Sequence, residues 1–170
     1  TVEQTQRNGT GHAVRVALEF LTGRGVTTSE APVVVLTGDT PLLTGESLVT
    51  MLMKHVESTA AATVLTADLD SPFGYGRVLR SNDRVVGIVE EKDATPQQRE
   101  ISEINSGMYA FDGAALLDAI TGLNTNNSQG EEYLTDVIEI LASRGDVVIG
   151  VGAHNTSDIL GINDRSQLAS

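Results

Sequence analysis

The 170-residue chain contains no cysteine, which excludes disulfide frameworks, thiolate zinc sites and cysteine nucleophiles. Basic residues are scarce: 11 Lys and Arg stand against 23 Asp and Glu, a formal charge of −12. Nucleic-acid binding draws its affinity from Lys and Arg neutralising phosphates, so this balance argues against that class. An anionic ligand would need a bound cation to mediate. No apolar run approaches the roughly 20 residues of a membrane span, and the first residues lack a basic-then-apolar targeting pattern; no membrane partner and a cytoplasmic location are expected. His12, His55 and His154 have no metal-like spacing, and no Gly-x-Ser-x-Gly elbow occurs, so nothing suggests a hydrolase triad. There is no internal repeat or low-complexity tract, and the length suits one domain with one sizeable core.

What is present alternates between strand and helix signals. Val14, Ala17, Leu18 and Leu21 recur at helical spacing and predict a helix from about Gly11 to Leu21. The continuous apolar run Ala31 to Leu36 predicts a strand covered on both faces in a parallel α/β sheet. A helix with Leu48, Val49, Leu52, Met53 and Val56 on one face follows, then a strand from Ala62 to Ala67. Gly76 to Leu79 and Val85 to Val89, parted by the turn signal Ser81-Asn82-Asp83, predict an antiparallel excursion. Thr95-Pro96-Gln97-Gln98 carries a threonine cap, proline at the first helical position and glutamine three after the cap, so a short helix starts there. Ile104 to Phe111 predicts a strand, and Leu116, Leu117, Ile120 and Leu123 a helix. Leu134, Val137, Ile138 and Leu141 form the apolar stripe of another helix, followed by a last strand from Val147 to Val151.

Several positions could carry chemistry. The polar stretch from Asn126 to Glu132 enters the Leu134 helix, and free N–H groups at a helix start suit an anion, though capping alone also explains such residues. Asp39 follows the Ala31 to Leu36 run through Gly38, at the strand edge where open α/β sheets bind ligands. It reads equally as a Mg²⁺ ligand with oxygen co-ligands or as a turn aspartate. Gly9-Thr10-Gly11 could wrap a nucleotide or simply open a helix. Phe73-Gly74-Tyr75-Gly76-Arg77 gives a backbone surface for a sugar or a sharp strand entry. Within Glu90-Glu91-Lys92-Asp93 only Glu90, nearest the strand end, is a credible acceptor for sugar hydroxyls, the rest reading as solvated charge. Asn105 lies in an apolar context and must find partners, in a cap or a ligand. Asn163 could cap a terminal helix.

Seven segments taken together carry a resemblance: Gln4-Thr5-Gln6-Arg7-Asn8-Gly9-Thr10-Gly11-His12-Ala13, Gly38-Asp39-Thr40-Pro41-Leu42, Phe73 to Arg77, Ile88 to Thr95, the Asn105 motif, Asn126 to Asp136, and Gly161-Ile162-Asn163-Asp164-Arg165. In this order they resemble the uridylyltransferase domain of the bifunctional N-acetylglucosamine-1-phosphate uridylyltransferase/glucosamine-1-phosphate acetyltransferase family. The resemblance implies an α/β, Rossmann-like nucleotidyltransferase fold with a mixed, mainly parallel sheet. It also implies the reaction of UTP with N-acetylglucosamine 1-phosphate to give UDP-N-acetylglucosamine and pyrophosphate, a cell-wall precursor step. By motif, Gln4, Gly9 and Thr10 would hold the uracil, with Thr37 and Gly38 near the nucleoside. Asp39 and Asn163 would bind Mg²⁺. Gly76, Glu90 and Asn105 would contact the N-acetylglucosamine part, and Thr135 would lie near the sugar phosphate.

The chain departs from the family at Asn8, where leucine is usual, and at Ser106, where threonine is usual. It also lacks the family's glycine-rich Leu-Ala-Ala-Gly-x-Gly-Thr-Arg-Met loop, the downstream lysine, and the left-handed β-helix acetyltransferase half through which the parent is expected to form a homotrimer. The expectation is an internal fragment of the first domain, incomplete at its N-terminus, inactive alone, and with an open edge on the strand ending at Leu36. Alternatives are a nucleotidyltransferase for another sugar phosphate and a non-catalytic nucleotide-sugar binding fragment.

Overall fold

A computed structural model describes residues 1–40 and 43–159. Its five helices among these residues are α1 (Thr10–Gly23), α2 (Gly45–Glu57), α3 (Pro96–Arg99), α4 (Gly113–Ala119) and α5 (Thr135–Ser143). The strands are β1 (Val33–Val35), β2 (Ala62–Asp68), β3 (Arg77–Ser81), β4 (Arg84–Val89), β5 (Glu103–Phe111) and β6 (Val148–Gly152). The predicted helix at Thr95 is present with its full reciprocal cap: Gln98 N donates to Thr95 Oγ1 and Thr95 N to Gln98 Oε1. The β3–β4 pair is antiparallel across a turn in which Asn82 takes a positive φ, as the turn signal predicts.

The sheet runs β4-β3-β5-β2-β6, with β1 pairing β5 off that path. It is mixed, but not mainly parallel. Among the described pairings only β2 with β6 is parallel, while β1–β5, β2–β5, β3–β4 and β3–β5 are antiparallel. The reason is β5: it lies between β1 and β2, which therefore point the same way without touching, so the crossover through α2 skips a strand. An apolar run reports that a strand is covered, not which neighbour it pairs with.

The two-sided burial expected of β1 is also corrected. Its burial alternates, Val34 is exposed, and Leu36 just after it is exposed too. Among the described residues β1 pairs with β5 alone, leaving the open edge expected there.

The core lies on both faces of β2 and β5. One cluster gathers Leu18, Val64, Phe111, Leu116, Val137, Ile138 and Leu141, so the predicted α5 stripe faces the sheet. The other holds Met51, Leu65, Ile104, Met108 and Ala110 under α2. Successive residues of β5 enter opposite clusters, as a period of two requires.

Candidate active site

The decisive feature is a fork on β5. One edge of this strand pairs with β3 at its beginning, Arg77 opposite Ile104, and with β1 at its end, Val35 opposite Tyr109 and Val33 opposite Phe111. Between these contacts, at residues 105–108, the register with β2 shifts. Gly107 takes φ +80 there, and a Cβ on it would lie 2.9 Å from Thr37 Cγ2, so both the left-handed backbone and the close approach require glycine. The end of β1 and the start of β3 therefore converge on Asn105, Ser106 and Gly107.

Around the fork opens a cavity of about 1060 Å³. Its polar lining includes Thr10, Thr37, Asp39, Glu90, Asn105 and Thr135, with Gly38 and Gly76 contributing backbone, while one wall is the apolar face of α1 with Val33 to Leu36. Thus eight of the eleven sequence-derived positions share one cavity. Gln4 and Gly9 do not line it: Gln4 Nε2 donates to Gly9 O at 3.1 Å and lies 2.9 Å from His12 Nδ1. They sit at the start of α1, next to Thr10. Gly9 is needed there for packing, since a Cβ would come within 2.4 Å of Glu132 O. Asn163 lies outside the described residues.

The polar groups hold one another in place. Asn105 N donates to Gly76 O at 2.9 Å, tying β3's start to the fork. Thr135 Oγ1 donates to Glu90 Oε1 at 3.0 Å. Burial pushes the Glu90 carboxyl above the usual range, against the opposing Thr135 hydrogen bond, with the Asp93 charge pushing the same way as burial. Asp39 is exposed and makes no ion pair among the described residues. No group of three or more His, Asp or Glu there is placed to hold a metal. Asp39, an exposed carboxylate lining the cavity, is a hard-oxygen donor that suits Mg²⁺ completed by water and phosphate rather than an all-protein cage.

At the α5 start, expected to suit an anion, several N–H groups already bond within the chain. Leu134 N donates to Thr10 Oγ1 at 3.1 Å, Asp136 N to Tyr133 O and Val137 N to Leu134 O. Carboxylates also crowd it. Asp136 is pushed up to about 6 by burial first, then by Glu139, Glu90 and Asp93. The Thr135 hydroxyl is thus engaged by Glu90 at the edge of the cavity.

That shift has a stability consequence. A carboxyl raised from 3.8 to about 6 favours the folded state fully below about pH 3.8, and this contribution is lost as pH rises through about 6. Asp136→Asn is expected to raise the melting temperature at pH 8 relative to wild type by more than it does near pH 3.5. A gain of equal size at both pH values would show that the carboxylate is not responsible.

Two arrangements escape sequence reading. Glu91, expected to be solvated charge, pairs with the buried Arg77 at 2.8 Å and accepts from Gly74 N at 3.2 Å; Arg77 also donates to Tyr75 O. This clamp fixes the glycine-rich entry to β3 against the end of β4. An arginine directly after a Gly-Tyr-Gly turn and a Glu-Glu pair were both visible, but not that they meet. Tyr109, read only as a strand residue, has its hydroxyl 2.7 Å from Asn105 Nδ2.

Residues 1–159 match the family described as Nucleotidyl transferase. The chain belongs to the nucleotidyl transferase family. This nucleotidyl transferase chain is 47% identical over 173 residues to "Bifunctional protein GlmU" of Streptococcus sanguinis (strain SK36), covering 99% of the chain and 36% of that relative. It is 50% identical over 171 residues to the protein of the same name from Streptomyces coelicolor, covering 99% and 35%. The chain thus spans about a third of the length of the curated relatives it matches. In fold it is similar to a nucleoside-diphosphate-sugar pyrophosphorylase from Vibrio cholerae RC9, with a TM-score of 0.70 at 14% identity over 98% of this chain and 66% of that one. A putative glucose-1-phosphate thymidylyltransferase from Bacillus anthracis has a TM-score of 0.66 at 19% identity, over 89% and 55%.

Proposed function

We propose that this chain supplies the sugar-binding and part of the nucleotide-binding surface of a uridylyltransferase that makes UDP-N-acetylglucosamine and pyrophosphate from UTP and N-acetylglucosamine 1-phosphate. The observation that carries this reading is the fork on β5, where Gly76, Glu90 and Asn105 line one cavity together with Thr37 and Asp39. Identity of 47% and 50% to the two proteins named Bifunctional protein GlmU supports the same reading.

The chemistry asks little of acid or base. The attacking oxygen belongs to a phosphate already ionised at neutral pH, so the protein's task is alignment and charge neutralisation. Glu90, held by Thr135, accepts from sugar hydroxyls; Asn105 offers amide groups to the substituent that distinguishes this sugar; Gly76 lets the ring lie close to the backbone. Thr10, with Gln4 and Gly9 beside it, faces the base. Asp39, with Asn163, would hold Mg²⁺, which when bound neutralises phosphate charge in a chain whose net charge is −12. No glycine-rich phosphate loop of the family's pattern occurs in the chain, so the isolated chain binds nucleotide sugar without turning over.

Calorimetry tests this. Asn105→Ala is expected to weaken UDP-N-acetylglucosamine binding about tenfold, the scale of a lost hydrogen bond with its partner left unpaired, while UTP binding is unchanged. Equal losses for both ligands would assign Asn105 a purely structural role. Failure of the unaltered chain to bind UDP-N-acetylglucosamine with Mg²⁺ would overturn the function itself.

A further inference from the structure

The orientation of Asn105 is fixed by a group that can only donate. Its Oδ1 accepts the backbone N–H of Gly107 at 3.0 Å, so the NH₂ end faces Tyr109, 2.7 Å from the hydroxyl oxygen. An amide NH₂ also only donates, and the phenol oxygen must therefore accept. A phenol that accepts still has its own proton to give. Tyr109 is 2% exposed, and among the described residues that proton has no acceptor. Buried polar groups are rarely left so.

The surroundings narrow what could take it. Tyr109 lines the same cavity as Glu90, Asn105, Ser106 and Gly76. Burial, reinforced by the Glu90 charge, holds the phenol well above its ordinary range, so it remains a donor at any working pH. Glu90 itself is bonded through Oε1 to Thr135 and makes no hydrogen bond to Tyr109. With Glu90, Asp93 and Asp136 close together, a phosphate would be repelled; an uncharged oxygen would not.

We propose that Tyr109 is a further ligand-binding residue of this site, its hydroxyl donating to an uncharged acceptor, a carbonyl or hydroxyl oxygen, on the sugar held between Glu90 and Asn105. The assignment rests on the sugar-binding reading above and adds a contact that the motifs do not contain. The bulge at residues 105–108 makes it possible: it brings the side chains of residues 105 and 109, both on one face of β5, within hydrogen-bond reach.

The test is isothermal titration of the 170-residue chain with UDP-N-acetylglucosamine and, separately, with UDP, both with Mg²⁺. The wild type is compared with Tyr109→Phe, Asn105→Ala and the double variant, each checked for folding by circular dichroism. Tyr109→Phe is expected to weaken UDP-N-acetylglucosamine about fivefold, the scale of one neutral hydrogen bond, and to leave UDP unchanged. A similar factor is expected in the Asn105→Ala background, because a direct contact does not need Asn105. Unchanged UDP-N-acetylglucosamine affinity, an equal loss for UDP, or a loss that vanishes without Asn105 would each overturn the proposal, the last by making Tyr109 a mere support for the amide. Should the double variant not fold, the contrast between the two ligands in Tyr109→Phe decides alone. A wild type that binds UDP-N-acetylglucosamine while Tyr109→Phe binds it equally well removes only this inference; a wild type that does not bind it removes the sugar reading and this inference together.

Discussion

Phe111→Ala is expected to lower the unfolding free energy by about 3–5 kcal/mol, the range for deleting a buried aromatic ring and leaving a cavity. Phe111 is 0% exposed and ends β5, with Val33 opposite it on one side and Ala62 on the other. Its ring stacks on Tyr109 at 5.4 Å between centroids, 25° from parallel. It packs in one buried cluster with Leu18 of α1, Leu116 of α4 and Val137 of α5, so its loss opens a gap between the sheet and these helices. A domain stable by about 5–15 kcal/mol would lose much of that margin. Urea denaturation followed by circular dichroism measures it: a lower midpoint at unchanged slope is the expected result, and a loss below about 1 kcal/mol would contradict the packing. Because Tyr109 loses its stacking partner, the hydrogen bond from Asn105 Nδ2 to the Tyr109 hydroxyl should loosen as well, linking the core to the site.

How much of this was legible in the residues depends on range. Capping, turn and periodicity signals are local, and they foretold α3 with its threonine cap, the β3–β4 hairpin and the buried stripe of α5. Strand partnership is not local. Val33, Val34 and Val35 are apolar whether they lie between two parallel strands or at an edge beside an antiparallel one, so β1 was misread. The site followed the same division. Asp39, Glu90 and Asn105 each end or interrupt a strand, which their flanking residues reveal, and the cavity gathers them. The bonding at the α5 start was not legible, because the acceptor for Leu134 N is Thr10 Oγ1, from α1 more than a hundred residues away. Tyr109 was invisible for a similar reason: its role depends on a bulge that places it beside Asn105.

Asp39→Asn is expected to lower uridylyl transfer by about two to three orders of magnitude, the scale of removing one preorganised electrostatic partner, when measured in a full-length enzyme carrying this segment. Asp39 stands just beyond β1 and lines the same cavity as Glu90 and Asn105, so its charge can act on phosphates bound there. It is exposed, and no described cation neutralises it. The substitution separates the two roles that the residue type allows. Asparagine serves a turn as well as aspartate does, so a turn residue predicts full activity and an unchanged melting temperature. A carboxylate that shares in holding Mg²⁺ predicts an unchanged melting temperature with activity lost, since asparagine keeps the shape and an oxygen but removes the charge a hard cation needs. The isolated chain provides an independent reading: adding Mg²⁺ should tighten UDP-N-acetylglucosamine binding to the wild type and do so far less for Asp39→Asn. Activity within threefold of wild type would return Asp39 to the turn, and a fall in melting temperature matching the loss of turnover would show that its contribution is to the fold.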